Sequence, residues 1–469
     1  VARIAFILIL LLWLAQSADP APAIATGGSV APWLFLAGHG GLLLAVRLAA
    51  RRFAQAASAD ALAPRDRWWN QRMQRVRLLL VLWFGCGVYL LGWPQLLEPL
   101  SAATPLETLP LLLGTLPALL TWFALWWAAY PAEQALSRQR ALPRAGLPMP
   151  EPPTLRQHLV WNLRTNMLFT LAPVLGIFAV RDVAHLVLQR WGAVPTAELD
   201  LLVSAGAAVG VLALSPLLLV RILPTRSLPA SPLRARLQAA CERQRLRYRD
   251  IRLWESGGVL ANAAVMGVLP QTRYLIISDG VVEAMPAEQT VAVFLHEAAH
   301  VAHHHLAWLI VAVAVYALGA EVLDRTLMEW LGAALPALRE VPQGLVGLAL
   351  GLPAFIVFFG AVSRLFERQA DLAAARALSR ELSDAPLTLQ GASVVAEALH
   401  NIALLNHLNP ARWEWLHGSI DSRCDFVLMA ADRPELAARF DRRALWGRVA
   451  LLLAAFGLAL TLAWLAGAI

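Results

Sequence analysis

His296-Glu297-Ala298-Ala299-His300 is the part of this 469-residue chain whose residue types and spacing could do chemistry. On an α-helix, positions i and i+4 share a face, so both imidazoles can reach one metal ion. Glu297, on the adjacent face, can hold a metal-activated water and take its proton. Two histidines make half of a tetrahedral site; catalytic zinc takes a third protein ligand and keeps the fourth position for water. The spacing H-E-x-x-H-x-x-G-x-x-H fails to supply that ligand, because His303 stands at the Gly position and Leu306 at the final His position.

Ser363-Arg364-Leu365-Phe366-Glu367-Arg368-Gln369-Ala370-Asp371 is the better source. Glu367 and Asp371 are i and i+4 on an expected helix and share a face. Glu367 can ligate while Asp371 accepts the N–H of a ligand imidazole. A third cluster runs from His417 to Arg423. Metal-assisted hydrolysis of a peptide creates an oxyanion, and His417 and Arg423 are donors suited to it.

The elements that must position these residues are dominated by apolar helices. The chain is 58% hydrophobic and 15% charged, with a mean hydropathy of +0.58, which excludes an ordinary soluble protein. Nine hydrophobic segments lie at about 2–16, 31–49, 77–93, 109–130, 167–189, 200–220, 306–323, 344–362 and 448–468. A bilayer crossing takes about 20 residues. The first segment reads either as a signal-peptide core followed by Gln16-Ser17-Ala18 or as an uncleaved span. The 18 Trp suit membrane interfaces, and Trp122, Trp126 and Trp127 read as an interface belt.

The net charge is +7, with every basic residue an arginine. The arginines cluster in loops 50–76 and 131–158 and in segment 221–250, whereas loops 94–108, 190–199 and 324–343 hold few. Under the positive-inside rule this alternation places 221–305 and 363–447 on the cytoplasmic side. The basic balance therefore points to a membrane and not to nucleic acid. Cys86, Cys241 and Cys424 are far apart and odd in number, so neither a disulfide framework nor a thiolate metal site is expected.

Three regions follow. Residues 1–222 form a multi-span membrane region. Residues 223–447 form a region expected to be a zinc-dependent hydrolytic domain, interrupted by spans at about 306–323 and 344–362. Residues 448–469 form a C-terminal span. Within the second region, Ser231-Pro232 starts an amphipathic helix as N-cap and first-turn proline. Residues 223–234 otherwise read as loop. Ile251–Trp254, Val259–Val265 and Arg273–Ser278 read as short strands, with a small β-hairpin among them. Pro286 opens the helix carrying the pentad, which shows no obvious stop before the span at Leu306 and reads as one continuous rod. His300 lies about 9 Å of helix before one span, and Glu367 about 7 Å after the next. Adjacent antiparallel spans bring the two to similar depth.

In this order the motifs resemble the membrane gluzincin peptidases, the type I CAAX prenyl protease family and its bacterial heat-shock membrane relatives. Asn262-Ala263-Ala264-Val265-Met266-Gly267 resembles the family's N-A-x-x-x-G edge strand, and Tyr274–Asp279 the strand and turn before the metal helix. Ser363–Asp371 matches S-R-x-x-E-x-x-A-D at every fixed position, and His305 matches a His found after the pentad. His417 and Arg423 match H-P-x-x-x-x-R by spacing, with Gly418 in place of the proline. The resemblance covers roughly 230–425.

The resemblance implies a polytopic α-helical membrane protein of about eight or nine spans with a mainly α gluzincin domain. It implies a zinc endopeptidase in which His296, His300 and Glu367 ligate Zn2+ and Glu297 is general base and proton shuttle. Asp371 would orient a ligand His, and His417 and Arg423 would steady the tetrahedral intermediate. Asn262 and Ala263 would pair with substrate backbone as an added strand. The substrate would be a peptide or protein, membrane-associated or prenylated, and the partner surface a lipid bilayer. The composition hints at a bacterial source, hence an inner membrane with the site facing the cytoplasm. Arg181, Asp182 and His185 sit in the outer half of the fifth segment and would line an intramembrane chamber or lie wet at the outer interface. The rival from another class is a non-hydrolytic membrane receptor using such a domain for signalling; it calls for a sizeable external domain, and the external loops are short.

Overall fold

The computed structural model describes residues 31–56, 62–104, 106, 108–140, 152–192, 196–257, 260–334, 343–383, 385–406 and 408–465. Segment 2–16, with its two readings, lies outside them. Among the described residues seven helices are long and apolar enough to cross a membrane. They are Ala31–Ala56, Thr108–Ser137, Leu155–Arg190, Leu202–Ile222, His305–Leu323, Leu350–Ser383 and Pro434–Leu465. Seven of the nine expected segments fall on these helices.

Segment 77–93 is the exception. Its helix, Leu62–Tyr89, ends in a turn at Gly92, whose φ is +68°. Arg72, Arg75 and Arg77 precede the apolar part. Leu78 to Tyr89 then provides about 18 Å of apolar helix, well short of the ~30 Å hydrocarbon core.

The chain divides into two compact units, Val1–Val211 and Leu212–Ile469. In the first, α1 (Ala31–Ala56), α2 (Leu62–Tyr89) and α4 (Thr108–Arg140) pack together, with the short α3 (Glu98–Ala103) between α2 and α4. Phe35 lies directly on Gly87, and the Trp83 ring on Gly38, so a side chain at either glycine would drive the helices apart. Trp122 and Trp126 are buried in this unit, whereas Trp127 is exposed, so two of the three expected belt residues face inward. Helix α5 (Leu155–Asn162) runs through a π-helical stretch, Leu163–Leu168, into α6 (Phe169–Arg190). On α6, Arg181 and His185 both meet Asp200 at 2.9 Å, and the Asp182 carboxylate accepts the Thr108 amide at 3.0 Å. These three ionisable residues thus hold the start of α4 and of α7 (Ala197–Ile222).

The second unit is built on one small sheet. Its strands are β1 (Thr225–Ser227), β2 (Asp250–Trp254), β3 (Ala263–Met266) and β4 (Tyr274–Ser278), in the order β1-β2-β4-β3. The expected hairpin is β3–β4, antiparallel with Ala263 opposite Ile277. The sheet is larger than a hairpin: β2 runs parallel to β4, and β1 pairs antiparallel with β2. β1 falls in the stretch expected to be loop; three residues carry too little alternation to betray a strand. Helix α8 (Pro232–Arg243) crosses over between β1 and β2, with the Ser231 hydroxyl accepting the Arg234 amide.

Behind the sheet sit α9 (Asp279–Ala284) and α10 (Ala287–Ala302). Ten α10 residues between Gln289 and Ala299 are buried, so this helix is enclosed nearly all round. Leu237, Ile251, Leu275, Ile277, Val291 and Phe294 share its core. α10 does not continue as a rod. It stops at Ala302, and His304 takes a left-handed φ of +54° before α11 (His305–Ala334) begins. The remaining helices are α12 (Gln343–Ser383), α13 (Leu389–Leu405), α14 (Ile420–Asp432) and α15 (Pro434–Leu465). α12 is unbroken for 41 residues, about 60 Å at 1.5 Å per residue. It carries Glu367 and Asp371 from the end of its apolar part into contact with α10.

Candidate metal centre

Ligand atoms of His296, His300 and Glu367 all lie within 4.8 Å of one another. The two Nε2 atoms are 3.2 Å apart. Glu367 places Oε2 3.6 Å from His296 Nε2 and Oε1 3.7 Å from His300 Nε2. Two imidazole nitrogens and a carboxylate converging on one point form a donor set that suits zinc. The backbone explains the convergence. One helical turn separates the histidines on α10, and α12 packs against that face at the height of Glu367.

A buried set of charges surrounds the three. Asp371 is fully buried, with Oδ1 2.9 Å from His296 Nδ1. Arg423, 4% exposed, donates through Nε and Nη2 to Asp371 at 2.8 and 2.7 Å, and its Nη1 stands 3.0 Å from Glu367. Its guanidinium faces two carboxylates and is placed to hold Asp371 and Glu367. His417 is the more open of the two expected donors. It is about half-exposed, with Nε2 3.9 Å from Glu367 Oε1 and Nδ1 3.4 Å from Glu414 Oε2.

Gly418 behind it has a φ of +75°, and its amide donates to the Glu414 carbonyl at 2.8 Å. A proline can adopt neither feature. The departure from H-P-x-x-x-x-R is therefore a differently built turn.

Burial is the main cause that pushes the Glu297 carboxyl up to about 7; His296 opposes the shift and Glu367 adds to it. The Val265 backbone hydrogen-bonds to this carboxylate. Burial also works against charge on His296, but the Asp371 and Glu367 carboxylates beside it carry it up to about 10. His300 is pushed down to about 4, first by burial and then by the neighbouring His296 charge.

β3 is the free edge of the sheet, next to α10. Asn262 both donates its amide to the Ser278 hydroxyl and accepts the Ser278 amide, each at 2.9 Å. Residues alternate across an antiparallel ladder, so Ala263 and Val265 turn their backbone groups away from β4. The expectation for Asn262 thus needs correction: its main chain is spent on β4, and the outward edge belongs to Ala263 and Val265.

Among the remaining candidates, His305 contacts His300, with Nδ1 atoms 3.0 Å apart. His303 stacks on His305 at 5.6 Å, and His304 occupies the turn. Cys424 donates its thiol to the Ala396 carbonyl and packs beside the core. Sequence reasoning missed Val265 and Gln369. Val265 acts through its backbone, and Gln369 falls at a variable position of the S-R-x-x-E-x-x-A-D pattern.

Residues 233–418 match the model for peptidase family M48. The fold is similar to the crystal structure of S. mikatae Ste24p, with a TM-score of 0.51 at 13% identity, covering 85% of this chain and 98% of that one. A comparison with curated proteins finds no match.

Proposed function

This chain is a membrane metalloprotease whose residues 233–418 form a peptidase family M48 domain, and from that premise we propose a zinc-dependent endopeptidase that cuts membrane-associated proteins or peptides. One observation carries the reading: ligand atoms of His296, His300 and Glu367 converge within 4.8 Å.

His296, His300 and Glu367 would hold the metal. When bound, zinc supplies a water acidified toward neutrality and polarises the scissile carbonyl. Glu297, steadied by the Val265 backbone, takes the proton of the attacking water and delivers it to the departing amine. Asp371 and Arg423 keep His296 and Glu367 oriented. His417 donates to the oxygen that gains charge as the carbonyl is attacked. Ala263 and the carbonyl of Val265, whose amide is held by Glu297, offer the edge on which an extended substrate adds as a strand. The arginine-rich loops support a site on the cytoplasmic face of a bacterial inner membrane.

The test is cleavage of a quenched-fluorescence peptide panel by detergent-purified protein, with chelation, zinc add-back and Glu297→Gln. Activity should need zinc, and Glu297→Gln should lose about 10²–10⁴-fold while keeping its metal. Wild-type cleavage that survives either chelation or Glu297→Gln would refute the assignment.

A further inference from the structure

Four side chains form a line that leads away from His300 to the C-terminal helix. His300 Nδ1 is 3.0 Å from His305 Nδ1. His305 Nε2 is 3.0 Å from Gln369 Oε1. Arg448 on α15 donates through Nη2 to the same Gln369 oxygen at 2.7 Å. The line is built into the interior: His305 is 1% exposed and Gln369 8%. The left-handed turn at His304 swings His305 back over His300. Its ring then lies parallel to Phe366 at 4.5 Å. The Arg448 guanidinium rests over Trp308 and Phe366, 5.6 and 5.8 Å from their ring centres, and also meets the His303 carbonyl at 3.4 Å.

The direction of every hydrogen bond in this line follows from one end. Arginine has five donors and no acceptor. It therefore fixes which end of the Gln369 amide faces it, namely the oxygen. An oxygen that accepts from Arg448 must also accept from His305, so His305 Nε2 carries a proton. A neutral imidazole has one donor and one acceptor, so His305 Nδ1 accepts. His300 Nδ1 must then donate, and His300 Nε2 is left with a bare lone pair facing His296 and Glu367. On the other histidine, Arg423 and Asp371 occupy the corresponding place.

We infer that Arg448 is a positioning residue that sets, through Gln369 and His305, the tautomer in which His300 can bind the metal. The inference rests on the proposed metal site and adds to it a control point on the last membrane helix. Without a donor at 448, the Gln369 amide is free to turn its NH2 toward His305. That reverses each bond in the line and puts a proton on His300 Nε2, where the metal must bind.

The experiment is the zinc dissociation constant of the full-length detergent-purified protein, measured by chelator competition beside thermal unfolding of the metal-free form. Arg448→Met should weaken zinc about 10–100-fold, the range seen when the partner of a ligand histidine is lost. Arg448→Lys keeps an obligate donor and should stay near the wild type. Gln369→Glu replaces the amide with a group that can only accept, so Arg448→Met combined with Gln369→Glu should recover zinc binding. A merely structural role for Arg448 predicts no such recovery. Gln369→Met, with Arg448 in place, should weaken zinc by the same factor and serves if Arg448→Met does not fold. Wild-type zinc affinity in a folded Arg448→Met or Gln369→Met, or a folded double variant with no recovery, would overturn the inference and leave the metal site standing. A wild type that binds no zinc would overturn both.

Discussion

Arg423→Met is the perturbation whose size the structure sets most directly. Arg423 is 4% exposed, donates two hydrogen bonds to Asp371 at 2.7 and 2.8 Å, and forms an ion pair with Glu367 at 3.0 Å. Removing the cation leaves Asp371 and Glu367 facing each other with only His296 between them. Breaking a buried ion pair from one side costs about 3–5 kcal/mol, because the stranded charge cannot return to water. In a unit of this size each kcal/mol moves the melting temperature by roughly 2–4 °C. A loss near 4 kcal/mol thus becomes a fall of about 8–16 °C for the metal-free protein. Adding Asp371→Asn removes one stranded charge and should restore part of that loss. The assay is thermal unfolding of metal-free wild type, both single variants and the pair. An Arg423→Met midpoint within 3 °C of wild type, or a pair less stable than Arg423→Met alone, would show that Arg423 is not the counter-charge it is argued to be.

Zinc affinity should rise with pH: His296 is raised to about 10, so below that pH the metal must displace its proton. Affinity should climb roughly tenfold per pH unit between 7 and 9, with about one proton released per zinc, measured by titration calorimetry in buffers of different ionisation heat; a flat profile refutes it. Gly418→Pro, which would restore the family's usual residue, should destabilise the His417 turn, because φ +75° and the amide bond to Glu414 are both lost. The expected cost is about 3 kcal/mol, read as reduced melting temperature and reduced cleavage together. Burial pushes the Cys241 thiol up to about 12. Its contribution to stability is thus intact below the unfolded thiol's 9.0 and lost as pH rises from there toward 12. Iodoacetamide at pH 8 should leave Cys241 unlabelled in the folded protein and label it on unfolding, which mass spectrometry reads.

The candidate metal site was legible because each half lies on a helix, where the i, i+4 repeat fixes which side chains meet. Depth relative to the neighbouring apolar runs then put Glu367 beside His300. The orientation of Asp371 toward His296 followed from the same repeat. What escaped is long-range or carried by the backbone. Neither Gly nor Pro marks the break at His304, because a histidine takes the left-handed turn there. The link from Arg448 to Gln369 spans 79 residues, and an arginine at the start of an apolar helix reads as an ordinary interfacial charge. The two carboxylates beside Arg423 were not foreseen, because its spacing from His417 says nothing of them. The segment at 77–93 passed as a span because hydropathy does not register the turn at Gly92.

The unpaired edge of β3, half-buried beside α10, bears on how this protein avoids associating with itself. An unpaired strand is a template for any other extended chain, including a second copy. Sheet-to-sheet stacking of the amyloid kind needs segments of roughly six or seven residues. β3 has four. Gly267, with a φ of +107°, bends the chain away directly after Met266, and Val265 spends its hydrogen bond on Glu297. The rim is long enough to hold a short stretch of a guest chain and too short to seed a fibril.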